Sequence, residues 1–287
     1  MWKHAKFPLF FSLFLSLNLY SQILIGSLNI MTFNIRYDNP DDGPNAWPNR
    51  KQLVASTIHF HKADIVGLQE VLAHQLEDLS EMLPLYQWIG VGRDDGKAAG
   101  EFSPVLYRPD RLILQENGNF WLSETPDTVS RGWDAACNRI VTWGRFQMRF
   151  LTDIPNQEFY VFNTHFDHRG EIARKESALL VRKKVLEISG EKPFILTGDF
   201  NAAPDSEPVR LLLELSEIRD SRLAYRVTSH GPTYTFTGFD PVPKTEGEPI
   251  DYIFISPRFQ VIRHATIPDH FNGRLPSDHY PVFTEIR

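Results

Sequence analysis

The chain has 287 residues, 42% of them hydrophobic and 23% charged, a composition that excludes a disordered or fibrous protein. Lys and Arg number 30 against 36 Asp and Glu, for a formal charge of −6, so the chain as a whole has no electrostatic pull on nucleic acid. Its single cysteine, Cys137, excludes an intrachain disulfide and a cysteine-rich zinc site. Any chemistry must then come from His, Asp, Glu and Asn.

At the N terminus, Lys3 and Lys6 precede an apolar run from Phe7 to Tyr20 that ends at the small residue Ser21. A run of about 14 residues is too short for a helix to cross roughly 30 Å of hydrocarbon. The pattern fits an export signal over residues 1–21, followed by one domain over 22–287 in a secreted or periplasmic protein. No cysteine follows the run and no later stretch is as apolar, so no stable membrane anchor is expected. Removing residues 1–21 takes away two lysines and no acid, which moves the net charge from −6 to −8. A core of this size needs no disulfide outside the cell.

Beyond it, strands and helices alternate. Leu28 to Ile35 reads as a buried strand, and Arg36 to Asn49 as a loop rich in Asp, Asn, Pro and Gly. Lys51 to Phe60 reads as a helix, Ile65 to Glu70 as a short strand, Ala73 to Leu83 as a helix and Tyr86 to Val91 as a strand. After a Gly- and Asp-rich loop, Gly92 to Gly100, strands are expected at Ser103 to Tyr107, Arg111 to Phe120 and Ile140 to Arg149. Phe159 to Thr164 is a strand running into His165. Glu171 to Ser189 is the longest helix, with Ile172, Leu179 and Leu186 recurring every seven residues beside Ala178, Val181, Val185 and Ile188. Phe194 to Thr197 is a strand and Val209 to Leu215 a helix. Ser229 to Pro249 is loop-like, and Ile250 to Ile255, Phe259 to Ala265 and Tyr280 to Ile286 close the fold as strands. With no linker and no fixed repeat, the pattern predicts a layered α/β sandwich with helices outside.

Polar residues collect where these strands end: Asn34, Glu70, His165, Asp199 with Asn201, Asp251, and Asp278 with His279. Each alone has a bland reading as a turn former or a helix cap. Together they point to one cleft, because strand ends on one side of a sheet converge and an unpaired buried polar group costs about 1–3 kcal/mol. In Gly198-Asp199-Phe200-Asn201, extended backbone puts the carboxylate and the amide on the same side. Ser277-Asp278-His279 sets an acid beside an imidazole.

On MTFNIR (31–36), IVGLQEV (65–71), NTHFDH (163–168), LTGDFNAAP (196–204), IDYIF (250–254) and SDHYPV (277–282), the chain resembles the endonuclease/exonuclease/phosphatase superfamily, the DNase I-like proteins. The resemblance implies a four-layer α/β/β/α sandwich of two packed, mixed or mostly antiparallel sheets. It implies a phosphate-ester hydrolase using Mg²⁺, with Mn²⁺ able to substitute. By the same resemblance Asn34 and Glu70 form the entrance of the metal site, with Glu70 the principal ligand and Asp278 an additional acid. His165 contacts the scissile phosphate, Asp199 orients or deprotonates the attacking water, and Asn201 holds phosphate and nucleophile. His279 binds or protonates a phosphate oxygen, oriented by Asp251. Tyr107 falls where several members place a phosphate-contacting tyrosine.

NTHFDHRGEIARKES together with NIRYDNPDDGPNAWPNRK resembles a secreted bacterial subgroup of that superfamily. With the acidic charge and the lack of a dense Lys/Arg cluster, this favours a small or carbohydrate-linked phosphate ester over nucleic acid as substrate. An extracellular nuclease remains the alternative, with a lipid phosphodiesterase or a non-catalytic binding protein behind it, and a monomer is expected. Candidate pocket residues are Arg36, Asp38, Trp47 and Arg50 in or beside the first loop, Trp133 and Arg139 around Cys137, and His168 and Arg169 after His165. Arginine suits bidentate phosphate contact and tryptophan a sugar face, against the alternatives of surface ion pairs and core anchors.

Overall fold

The computed structural model describes residues 26–149, 158–224 and 229–287, so the expected export signal lies outside the described residues. Two six-stranded sheets pack face to face. The first runs β11 (Val261–Thr266), β12 (Val282–Ile286), β1 (Leu28–Asn34), β2 (Ile65–Gln69), β4 (Val105–Tyr107), β3 (Gln87–Ile89). The second runs β5 (Leu112–Trp121), β6 (Ile140–Met148), β7 (Glu158–His165), β8 (Phe194–Asp199), β10 (Asp251–Ile255), β9 (Arg219–Asp220). β1 pairs with β2 in parallel, as β7 does with β8, and the remaining neighbours are antiparallel. Helices α1 (Lys51–Phe60) and α2 (Ala73–Met82) cover the first sheet, and α3 (Glu171–Ser189) and α4 (Glu207–Leu213) the second. A one-turn helix, α5 (Ser221–Ala224), follows β9.

Side-chain alternation explains the four layers. Along β1, Met31 and Phe33 pack under the helices, while Leu28 and Ile30 face the other sheet. Along β10, Tyr252 and Phe254 pack under α3 and α4, while Ile253 and Ile255 enter the layer between the sheets. A strand buried on both faces must be nearly continuous in apolar residues, and these are.

The layer between the sheets changes character along its length. At one end Ile30, Ile65, Val161, Ile195 and Ile253 fill it. Two residues nearer the other end of each strand, which on antiparallel β10 means two residues earlier in the chain, stand Thr32, Gly67, Asn163, Thr197 and Asp251. Asn163 ties the sheets together: its Nδ2 donates to the carbonyls of Leu68 at 2.7 Å and Pro104 at 2.9 Å. Its Oδ1 accepts from Gln69 Nε2 at 2.7 Å and Thr197 Oγ1 at 2.9 Å. Gln69 Nε2 also donates to Thr32 Oγ1. Gly67 is required in this plug, since a Cβ there would lie 2.5 Å from Asn163 Oδ1 and closer still to Thr197 Oγ1.

The expected elements are present, with three differences. The loop after β1 contains two 3-10 turns, Pro40–Asn45 and Trp47–Asn49. The short pair β9 and α5 was not foreseen. The seating face of α3 is also not the seven-residue stripe: Ile172 is 56% exposed, and the helix buries Ala173, Ser177, Ala178, Val181, Val185 and Ser189. Small residues let the helix approach the sheet closely. A straight helix turns every 3.6 residues, so a seven-residue spacing does not itself define the packed face.

Candidate active site

The polar end of the inter-sheet layer opens into a cleft of roughly 660 Å³. Strand register assembles its floor. His165 is paired with Asp199 across β7 and β8, and Asp199 with Asp251 across β8 and β10, so three neighbouring strands carry them abreast. Asp251 Oδ2 accepts from His279 Nδ1 at 2.9 Å. The other imidazole nitrogen, Nε2, lies 3.8 Å from Asp199 Oδ2. Asn34, the last residue of β1, donates from Nδ2 to the same Asp199 oxygen at 2.9 Å and to Glu70 Oε1 at 3.0 Å. Asn201 Nδ2 lies 3.0 Å from His165 Nε2 and donates to the Phe166 carbonyl, while its backbone N–H donates to Asp199 Oδ1 at 2.9 Å.

The electrostatics are sharply divided. Burial, and then the charge of Asp251, push the Asp199 carboxyl up to about 7. Burial alone would lower His279, but Asp251 and then Asp199 outweigh it and raise the imidazolium to about 10. His165 is held well below its ordinary value by burial and the nearby Arg139 guanidinium, so it is neutral. One acid poised near neutrality beside a histidine that is protonated at neutral pH is an arrangement for proton transfer.

On one side of this floor lie Glu70 and Asp278. Arg36 reaches both, Nη1 at 3.9 Å from Glu70 Oε2 and Nε at 3.9 Å from Asp278 Oδ2, while a two-point ion pair binds it to Asp42. Burial raises the Asp278 carboxyl, opposed by His279. Two carboxylates converging with hard oxygen donors suit a divalent cation such as Mg²⁺. Asp199, Asp251 and His279 also place ligand atoms within 4.8 Å of one another, a second acidic grouping able to hold an ion. Glu70, Arg36 and Asn201 all adopt positive φ, 59°, 59° and 47°. Such backbone is costly for non-glycine residues and is found where a fold aims side chains at a site.

On the other side, Arg139 is 4% exposed, 3.3 Å from Asp167 Oδ2 and 3.0 Å from His168 Nδ1. Burial would raise the Asp167 carboxyl. The backbone N–H groups of Gly170, Arg169 and Ala136 prevail and hold it far below the carboxylate range. His168 and Arg169 line the cleft beside Arg139.

The structure thus brings together Asn34, Glu70, His165, Asp199, Asn201, Asp251, Asp278 and His279, with Arg36, Arg139, His168 and Arg169 at the walls. Three expectations need correction, those for Tyr107, Trp47 and Arg50, and two further pocket candidates, Asp38 and Trp133, do not line the cleft. Tyr107 sits at the far end of the sheet, opposite Ile65, with its hydroxyl on Gln87 Oε1 at 2.8 Å; antiparallel pairing of β4 with β2 carries it away from Glu70. Asn34 Oδ1 accepts from the Arg36 N–H at 3.0 Å and keeps a second lone pair, while its Nδ2 positions two carboxylates, those of Asp199 and Glu70. Trp47 is a core anchor whose indole N–H donates to Asp78. Arg50 is buried and ties down the carbonyls of Asn45, Ile35 and Arg36, and so shapes the first loop from beneath. Residues not anticipated are Arg93, Glu101 and Phe236, which line the cleft, and Asn163, Gln69 and Thr197, which brace it. Alternation along β2, β7 and β8 marks the bracing residues; nothing local marks Arg93 or Glu101.

Fold and site together define a hydrolase of phosphate esters. The chain belongs to the endonuclease/exonuclease/phosphatase family, whose model matches residues 31–279 and so includes every residue of the floor. Members of this family are metal-dependent phosphoester hydrolases. A Bacteroides thetaiotaomicron protein of the same family is 41% identical with a TM-score of 0.86, over 91% of this chain and 95% of that one. The mannosyl-6-phosphatase of the same organism is 40% identical with a TM-score of 0.85, over 91% and 99%. An uncharacterised protein of Acanthamoeba polyphaga mimivirus is 31% identical over 161 residues, 54% of this chain and 59% of that protein. Matches to two further curated relatives span only 27% and 25% of their lengths.

Proposed function

We propose that this protein is an exported, Mg²⁺-dependent phosphatase that releases phosphate from a carbohydrate-linked phosphomonoester. The observation that carries this reading is the likeness to the mannosyl-6-phosphatase over nearly the whole of both chains. The basic and then apolar N terminus supports export. Among the described residues no helix is long and apolar enough to cross a membrane. The hard oxygen donors of Glu70 and Asp278 support Mg²⁺, with Mn²⁺ able to replace it.

In this reading Glu70 and Asp278 hold the cation, which when bound neutralises charge on the phosphate oxygens. Asp199, poised near pH 7 and steered by the Asn34 amide and the Asn201 N–H, takes the proton of the attacking water. His279, kept protonated by Asp251, donates to a phosphate oxygen as charge develops. Neutral His165 and the Asn201 amide, beside Asp199 at the same strand ends, steady the same group.

The test is a phosphate-release screen over sugar phosphates, nucleotides, inositol phosphates and plasmid DNA, with and without EDTA. Release from sugar phosphates, abolished by EDTA and restored by Mg²⁺ or Mn²⁺, is expected. Cleavage of DNA without any sugar-phosphate hydrolysis would replace this reading with the nuclease one.

A further inference from the structure

The loop from Gly92 to Glu101 puts a second, different kind of polar pair into the cleft wall. Arg93 and Glu101 are both cleft-lining and bound edge to edge, Nη1 to Oε2 at 2.7 Å and Nη2 to Oε1 at 2.8 Å. The loop holding them is closed on itself. Arg93 N–H donates to the Glu101 carbonyl, Asp94 N–H to the Ala99 carbonyl, and Gly92 N–H to the Lys97 carbonyl. The Asp95 carboxylate accepts from the Lys97 and Ala99 N–H groups. Gly92 admits this closure, since a Cβ there would lie 2.7 Å from Ala99 N. From outside, Trp121 Nε1 donates to the Arg93 carbonyl at 2.7 Å, and Asn138 Nδ2 to Asp94 Oδ1 at 3.1 Å. The pair is therefore held rigidly before any ligand arrives.

None of the roles derived above uses it. Arg93 is too tightly paired to serve as a free phosphate clamp, and Glu101 would repel a second phosphate. Yet the Arg93 and Glu101 side chains keep 13% and 18% of their surface exposed, and both line the cleft, so the edge of the pair that is not engaged in the ion pair is open to a ligand. Carboxylate acceptors beside guanidinium donors, fixed by a rigid loop, match a ligand group that both donates and accepts. A hydroxyl does so, and a phosphate oxygen does not.

From this geometry we infer that Arg93 and Glu101 read the hydroxyls of the sugar leaving group and so determine specificity for a polyhydroxylated phosphomonoester. The inference rests on the sugar-phosphatase reading above and names which wall of the same cleft recognises the sugar. Glu101 accepts from a sugar hydroxyl while the guanidinium side of the pair, with Arg139 behind it, donates to a neighbouring one. A site built to bond hydroxyls discriminates strongly against analogues that lack them.

The test compares hexose 6-phosphates, their monodeoxy analogues and phenyl phosphate in the wild type, Glu101→Gln and Arg93→Lys. The ratio of kcat/KM for hexose 6-phosphate to that for phenyl phosphate should fall about 10- to 100-fold in each variant. The wild type should lose about tenfold on at least one monodeoxy substrate, and Glu101→Gln should no longer distinguish that analogue from its parent. An unchanged ratio in both variants would overturn the inference. Should neither variant fold, the deoxy series decides alone, and wild-type rates all within about threefold of the parent would overturn it. A wild type that hydrolyses phenyl phosphate but no hexose 6-phosphate would refute the sugar-phosphatase reading itself, and this inference with it.

Discussion

At the residue scale, the decisive contact is that between His279 and Asp251. The imidazole is fully enclosed, and an enclosed charge without a partner would lose its proton. Replacing Asp251 by Asn removes the largest charge that offsets burial, so the His279 pKa should drop well below about 10, with Asp199 and Asp278 left to hold it up. An NMR titration of the ring reads this directly, and kcat should fall about 10²- to 10⁴-fold. In the wild type, kcat/KM should rise with pH through about 7 as Asp199 loses its proton, and fall again near 10 as His279 loses its own. The stability linkage has the same origin. A folded His279 pKa above the unfolded value contributes stability that is complete below about pH 6.5 and disappears as pH climbs through 10.

At the element scale, short connections between strands and helices do the aiming. Asp167 accepts three backbone N–H groups and pairs with Arg139, so it fixes the turn between β7 and α3 and the loop before β6 together. Asp167→Ala leaves a buried guanidinium without its counter-charge and should cost about 3–5 kcal/mol in denaturant unfolding. Gly67→Ala forces a methyl into the amide plug between the sheets and should cost about 1–3 kcal/mol, with a loss of activity because Asp199 stands two residues beyond Thr197. Much of this was legible in the sequence. Strand positions follow from buried apolar runs, and Asp199 with Asn201 from alternation. Tyr107 misled because a motif fixes a position in the chain but not the direction in which its strand is paired. Arg93 and Glu101 escaped notice because their partnership is made by a closed loop, and loops of acids, glycines and alanines carry no periodicity. The packed face of α3 was legible at Ala178, Val181 and Val185, whereas Ala173, Ser177 and Ser189 were missed because small residues seat a helix as well as large ones do.

At the scale of the whole molecule, the chain is acidic while its cleft holds four arginines, Arg36, Arg93, Arg139 and Arg169. The same lining carries four carboxylates, Glu70, Glu101, Asp199 and Asp278, so the arginines are balanced within the cleft and a bound cation would supply the positive charge that a dianionic ester needs. Metal binding should also be visible without catalysis. Mg²⁺ at about 100 times its Kd should stabilise the folded protein by about 2.7 kcal/mol in thermal or denaturant unfolding. EDTA should remove that increment, and Glu70→Gln should abolish it; an equal increment in the variant would show that the ion sits elsewhere.

The graded layer between the sheets has an evolutionary consequence. Chemistry and cohesion occupy opposite ends of the same strands, Ile30 and Asn34 on β1, Ile195 and Asp199 on β8, Ile253 and Asp251 on β10. Mutational drift among aliphatic residues at the distal end can change thermal tolerance while the reacting groups keep their spacing. A lineage built on this scaffold is thereby free to adapt to new habitats and new substrates by separate sets of substitutions.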